Sequence, residues 1–242
     1  MTEPFQYTHN RFDGTYDMYL TDVLHTDSVK HEVLVNLDML KHIGCVVKND
    51  ELEYWLNDDD RLFASNMLAD NQDKLKVVIN LTATVREREW PIENWINLCK
   101  ELNAIRKNIT FILVGAGALS RKYRDIFAGE IKNVLDLTDK TTIRQTMAVM
   151  EKSDFYLGSE TGTTQMAAAV GIHGLATFLP ENVLEPMAKG TIRFQPWKSN
   201  VKVLSPQEPL SGCEIQCNAN KSHCIAQIKV EELLQYIKEN LT

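Results

Sequence analysis

The sequence has no apolar run approaching the ~20 residues that a membrane-spanning helix needs. Its start, MTEPFQYTHNRFDG, shows neither a basic n-region nor an apolar segment behind it. A secretory leader and a transmembrane anchor are therefore not expected, and the chain reads as cytoplasmic. Positive charge is not in excess either: 26 Lys and Arg stand against 33 Asp and Glu, a net charge of −7. That balance argues against a general nucleic-acid or anionic-membrane binder, while leaving room for a local basic site facing a phosphate. Cysteine is sparse, with five in 242 residues. An odd number spread over so long a chain suits a reducing compartment better than a disulfide scaffold. Cys45 and Cys99 stand alone and read as small buried hydrophobes. Internal repeats and low-complexity tracts are also missing. What remains, 44% hydrophobic and 24% charged, excludes disordered and fibrous classes and fits one large α/β domain, or one domain plus part of a second.

The residue pattern changes at the polar stretch ADNQDK (69–74). Before it the chain is helical in period. SVKHEVLVNLDMLKHIG is predicted to start at Ser28, to place Val33, Leu37, Leu40 and Ile43 on one face, and to stop at Gly44. A second amphipathic piece runs from Asp58 to Leu68. After the break, short apolar runs alternate with helical ones: KVVINL, then PIENWINLCKELNAI, ITFILVG, ALSRKYRDIFAGE, NVLDL, TIRQTMAVMEKS, DFYLGS, TTQMAAAVG and HGLATFL, with VEELLQYIKENL as a final helix. Strand and helix alternating at this pitch predict an α/β fold, a Rossmann-like parallel sheet with helices on both faces. The expected division is a helical segment over 1–73 and a Rossmann-like domain over 74–242.

In such sheets ligands sit beyond the carboxyl ends of the strands, so four loops bear the chemistry. After KVVINL, the loop TATVREREWPIENW brings Thr82, Thr84, Arg86 and Arg88 to a helix start, a plausible diphosphate cradle. Its bland reading is a solvated Arg-Glu-Arg-Glu run with Trp90 in the core. After ITFILV, Gly115-Ala-Gly117 imitates a dinucleotide fingerprint, with Asp136 at the distance of a ribose acid, but Ser120 replaces the third glycine. An NAD-dependent oxidoreductase is the reading this turn would support. LTDKTTI reads as a helix-capping sequence. After DFYLGS, the stretch Glu160-Thr161-Gly162-Thr163-Thr164-Gln165 puts hydroxyls at a positive helix end, where an anion is favoured. There the Glu160 carboxylate offers two acceptors to a ribose diol. Gly158 and Gly162 are expected to permit close backbone approach. The bland alternative makes Thr161 or Thr163 an N-cap and Glu160 a surface acid.

Taken in order, NLTATVREREWPIENW, ILVGAG, LTDKTTI and SDFYLGSETGTTQMAAAVGIHGLATFLP resemble glycosyltransferase family 9, the ADP-heptose:lipopolysaccharide heptosyltransferases, in their C-terminal nucleotide-sugar-binding domain. The resemblance covers about Lys76 to Leu241. It implies that Ala83, Thr84 and Arg88 hold a donor diphosphate, that Thr141 lies near the base, and that Glu160, Thr161, Gly162, Thr163 and Gln165 hold the sugar nucleotide. Two positions depart from the family's D-[ST]-G-x-x-H loop: Glu160 is one methylene longer than Asp, and Gln165 replaces a His and cannot carry a proton.

Family members are inverting GT-B enzymes with two Rossmann-like domains, the first holding the acceptor and an Asp base. Here no β-α-β succession precedes Lys76, and residues 1–73 resemble the end of that first domain. The base is therefore expected outside these 242 residues, with Asp13 and Asp17 read as loop acids. The implied partners are a nucleotide sugar, a glycan or lipopolysaccharide acceptor at the inner face of a membrane, and a partner chain carrying an acceptor domain. The rival reading is a non-catalytic sugar-nucleotide-binding module. No DxD-like metal site stands out, and the resemblance implies that donor binding requires no divalent metal. Cys213-x3-Cys217-x6-Cys224, with His223 adjacent, offers soft ligands for zinc or iron, although loop thiols or a disulfide would give the same spacing.

Overall fold

The computed structural model describes residue 24 and residues 29–180, 190–213 and 222–241. Six strands form one sheet: β1 (Leu75–Asn80), β2 (Ile109–Val114), β3 (Val134–Asp136), β4 (Phe155–Ser159), β5 (Gly174–Thr177) and β6 (Val201–Leu204). All pair in parallel, in the order β3-β2-β1-β4-β5-β6. This is the doubly wound order, and the direction of winding reverses between β1 and β4. Eight α-helices accompany the strands among the described residues: α1 (Glu32–His42), α2 (Asp58–Met67), α3 (Ile92–Ile105), α4 (Ala118–Glu130), α5 (Ile143–Glu151), α6 (Gly162–Val170), α7 (Gly190–Arg193) and α8 (Val230–Asn240).

The strands read as unbroken apolar runs because both sheet faces are covered. Val77 and Ile79 of β1 face a core shared with Trp90, Trp95, Phe127, Leu233 and Ile237, so α3, α4 and α8 cover that side. Val78 of the same strand faces the opposite core, with Ala64, Leu68, Ala148, Val149 and Ala167 from α2, α5, α6 and their ends. The expected parallel sheet with helices on both faces is present. α2, which precedes the polar stretch 69–74, is one of the helices that cover the sheet. Its Asn57 cap and Asp60 form a reciprocal capping box.

The structure adds one strand and corrects several expectations. The sixth strand, VKVL, was not anticipated: it is short and alternates outward at Lys202, so it lacks the apolar run that marks the inner strands. The stripe expected to bury α1 does not do so, since no residue of that helix is fully buried and Leu40 and Ile43 are exposed. His31, not Ser28, caps α1, its Nδ1 accepting from Val33 N; Ser28 lies outside the described residues, as do Asp13, Asp17 and Cys217. Polar links, with the His31 ring packed on Trp197 at 4.5 Å between centroids, tie α1 and the chain after it to the segment around Arg193–Lys198. Arg193 pairs with Glu32 at 2.6 Å, and His31 Nε2 meets the Gln195 carbonyl at 2.7 Å. Trp197 donates to the Asp50 carbonyl, and Lys198 pairs with Asp50 and Glu51. Cys45, expected to be buried, is exposed on this segment, whereas Cys99 is fully buried as expected.

Candidate active site: a cleft at the switch point

The loops after β1, β2, β3 and β4 enclose a cleft of about 510 Å³. Ala83, Thr84, Thr141, Thr161, Gly162 and Thr163, all singled out in the sequence, line it. Asn80, Ser120, Ile143 and Met166 line it too and were not anticipated.

Two of the helix starts on the wall, those of α4 and α6, are not capped by a side chain. Thr161 occupies the N-cap position of α6, yet its side chain makes no capping bond; its hydroxyl lies 2.7 Å from that of Thr163. The bland expectation that a threonine caps this helix is therefore not met. α4 begins after Gly117, which has no side chain to cap with and whose φ of 91° lies in the left-handed region. α5 differs, because Thr142 and Gln145 close a capping box over its first turn. LTDKTTI thus caps as expected, while the first turns of α4 and α6, both on the cleft, lack side-chain caps. First-turn N–H groups and the positive dipole end favour an anion at both.

The turn between β2 and α4 is held from the next loop. Asp139, at φ 58°, accepts from Gly117 N at 2.8 Å and pairs with Arg121 at 2.6 Å. The Gly117 N–H and then the Arg121 guanidinium hold its carboxyl below the usual aspartate range. Asp136, the ribose acid of a dinucleotide reading, is engaged by Lys140 Nζ and Thr138 N instead. Ser120, where a third glycine would stand, meets the Thr82 hydroxyl at 2.9 Å and ties this turn to the β1 loop.

The β1 loop is not the solvated charge run of the bland reading. Glu89 is buried, its Oε1 accepting from Ala83 N at 3.4 Å and its Oε2 from the Tyr123 hydroxyl at 3.2 Å. Burial pushes its carboxyl up, opposed by those two donors. Trp90 is fully buried as expected, donating to the Ile228 carbonyl and meeting Trp95 edge-to-face.

Arg88 and Glu160 do not line the cleft; they join the β1 and β4 loops to each other. Arg88 Nη1 and Glu160 Oε1 stand 3.3 Å apart, but the two groups are not aligned as a hydrogen bond, and Glu160 Oε1 and Arg88 Nε have no hydrogen-bond partner among the described residues. Glu160 is only 5% exposed, so it is not a surface acid. Burial pushes its carboxyl up, and the Arg88 charge offsets this only in part. A raised carboxyl means that the folded protein holds the proton more tightly than the unfolded chain. Stability from this group is greatest at low pH and falls as pH rises from the ordinary glutamate value through the raised one. Glu160→Gln is expected to flatten that fall, narrowing the difference in melting temperature between about pH 4 and pH 7. Thermal melts across this range check it; a slope unchanged by the substitution would count against a buried, destabilising charge. Some slope should remain, because Glu89 is shifted the same way.

Gln165, the residue in the family's histidine position, points away from this chemistry: its Nε2 donates to the Phe194 carbonyl at 2.7 Å. Gly158 gives room not to a ligand but to Tyr156. An added Cβ would overlap the phenolic oxygen and stand 2.6 Å from Cζ. That oxygen lies 3.0 Å from the hydroxyls of both Thr163 and Thr164, so a buried phenol fixes the first turn of α6. Gly162 has open space around its Cα, which leaves the helix start accessible.

At the tail, Cys213, His223 and Cys224 come together, with their ligand atoms all within 4.8 Å of one another. Cys217 lies outside the described residues. No helix among the described residues is long and apolar enough to cross a membrane.

Fold and cleft together define a Rossmann-like α/β unit of the kind that forms half of a GT-B glycosyltransferase. The profile of glycosyltransferase family 9 (heptosyltransferase) matches residues 11–223, and the chain belongs to that family. Among solved structures it is similar to the glycosyl transferase family 9 protein from Veillonella parvula DSM 2008, with TM-score 0.71 and 13% identity, covering 88% of this chain and 60% of that one. It is also similar to E. coli heptosyltransferase WaaC with ADP, with TM-score 0.64 and 17% identity, covering 98% of this chain and 64% of that one. A third is E. coli ADP-heptose lps heptosyltransferase II, with TM-score 0.60 and 14% identity, covering 78% and 53%. The chain thus spans less than two thirds of the length of each of these proteins. A comparison with curated protein sequences found no match.

Proposed function

We propose that this chain is the donor-binding part of a heptosyltransferase-type glycosyltransferase, which moves a sugar from an ADP-sugar to a lipopolysaccharide or other glycan acceptor. The observation that carries this reading is the cleft at the switch point, with the starts of α4 and α6 on its wall, neither capped by a side chain. Two such helix ends suit a diphosphate. Thr84, Thr161 and Thr163 add hydroxyls, while Ile143 and Met166 supply an apolar wall for a base beside Thr141. In an inverting transfer, negative charge grows on the leaving diphosphate as the acceptor hydroxyl loses its proton. Preorganised amides and the nearby Arg88 would stabilise that charge, and the base would come from an acceptor domain supplied by a longer chain or a partner. The division into a helical segment over 1–73 and a donor domain over 74–242 belongs to this reading, as does a cytoplasmic site of action at a membrane's inner face.

A binding-only role is the second reading, favoured by the way Arg88 and Glu160 engage each other. Calorimetric titration of ADP tests the site, and Gly162→Val is the informative variant. Its side chain meets no protein atom within 4 Å at Cβ, yet it would fill the cleft wall. ADP should bind the native chain and bind the variant at least roughly tenfold more weakly, about 1.4 kcal/mol, at unchanged melting temperature. No binding at millimolar ADP, or equal binding by the variant, would sink the site assignment. Sugar transfer to a glycan acceptor when an acceptor domain is supplied separates the enzyme from the binding module.

A further inference from the structure

We propose that Cys213, His223 and Cys224 form a metal site for a tetrahedral, thiolate-binding cation, zinc or iron, that fastens the loop before α8 against the core. None of the three lines the cleft, so the site is separate from the donor chemistry. Their ligand atoms lie within 4.8 Å of one another, with Cys213 Sγ 2.9 Å from His223 Nε2. Bonds of about 2.3 Å to sulfur and about 2.0 Å to nitrogen put tetrahedral donors roughly 3.5–3.8 Å apart, so the cluster needs only a slight adjustment.

The donor set is selective. Two sulfurs and an imidazole suit zinc or iron and not the oxygen-seeking magnesium or calcium. Charge also fits the burial. Cys213 and Cys224 are 5% and 1% exposed. On binding, the two thiols release their protons to solvent, and two thiolates with a neutral imidazole cancel a divalent charge. Leu210 N donates to Cys224 Sγ at 3.4 Å, an outer contact of the kind that orients a ligating sulfur.

The position gives the site its purpose. Cys224 leads directly into the 3-10 turn Ile225–Gln227, and Ile225 and Ile228 are core residues. The Ile228 carbonyl accepts the indole N–H of Trp90, two residues beyond Arg88 in the β1 loop. A cation held at Cys224 would therefore support the loop on which the donor site is built.

Elemental analysis of the full chain, purified under reducing conditions, should find about one zinc or iron per chain and tell the two apart. Cobalt substitution should give tetrahedral d–d bands together with thiolate-to-metal charge transfer. His223→Gln, at a half-buried position, should bind the metal more weakly and lose the drop in melting temperature that a strong chelator causes in the native chain. Substoichiometric metal after zinc or iron reconstitution overturns the proposal, as does a cobalt spectrum without thiolate charge transfer. Neither readout depends on a cysteine variant that might not fold. A Cys213–Cys224 disulfide that persists in the protein purified under reducing conditions would overturn it equally.

Discussion

Replacing Gly158 by alanine is expected to cost roughly 3 kcal/mol or more, the upper end of the range for overpacking a core. The added methyl group would overlap the Tyr156 hydroxyl, and Tyr156 cannot yield. Its ring is fully buried, its backbone is paired to β5, and Gly174 there leaves no slack: a Cβ at Gly174 would stand 2.8 Å from the Tyr156 carbonyl oxygen. For a chain of this size the loss corresponds to about 6–12 °C in melting temperature. A double-mutant cycle checks the cause. Tyr156→Val alone should destabilise by leaving a cavity, but Gly158→Ala added to it should cost far less than in the native background. Strictly additive losses would show that the tyrosine is not what the methyl group meets. Because the phenol also fixes Thr163 and Thr164, the single variant should weaken ADP binding as well.

The second large effect is expected at Trp90. Trp90→Ala should cost about 3–5 kcal/mol, since the side chain is fully buried, packs edge-to-face on Trp95 at 4.7 Å and satisfies the Ile228 carbonyl. Trp90→Phe keeps most of the ring volume and loses the N–H, so its cost should fall to about 1–2 kcal/mol. Denaturant unfolding of the two variants separates volume from hydrogen bond. Equal losses would mean that the indole N–H, not packing, anchors this loop. Nucleotide affinity should fall with both, because Arg88, Glu89 and Trp90 are consecutive along the wall-forming loop.

The inner strands were legible in the sequence because strands covered on both faces need apolar residues throughout, and KVVINL, ITFILV and DFYLGS supply them. The edge strand β6 was not, because a four-residue run with Lys202 turned outward looks like any loop segment. The cleft loops were legible through glycines, hydroxyls and a Trp-Pro helix start. What those loops do to each other was hidden. Glu89 and Arg86 are two of four alternating charges in the sequence, and only tertiary packing decides that Glu89 turns inward. Gly158 was read as room for a ligand because the sequence does not say that the space beside it belongs to a tyrosine two residues earlier. α1 misled for a related reason. Its apolar spacing is helical, but helical spacing alone does not say that a surface exists to cover it, and Leu40 and Ile43 remain exposed.

The strand order also dictates how the molecule is put together. β1, β2 and β3 are neighbours in the chain and in the sheet, and so are β4, β5 and β6, so each half can zip up from near contacts as it is synthesised. The seam between β1 and β4 is different: it brings Val77 beside Phe155 only after two helix-strand units have been made, and until then each half carries a bare inner edge. The cleft straddles that seam, taking walls from the loops after β1 and β2 on one side and after β4 on the other. A nucleotide bound there, as proposed, would be a crosspiece nailed over the last joint to close.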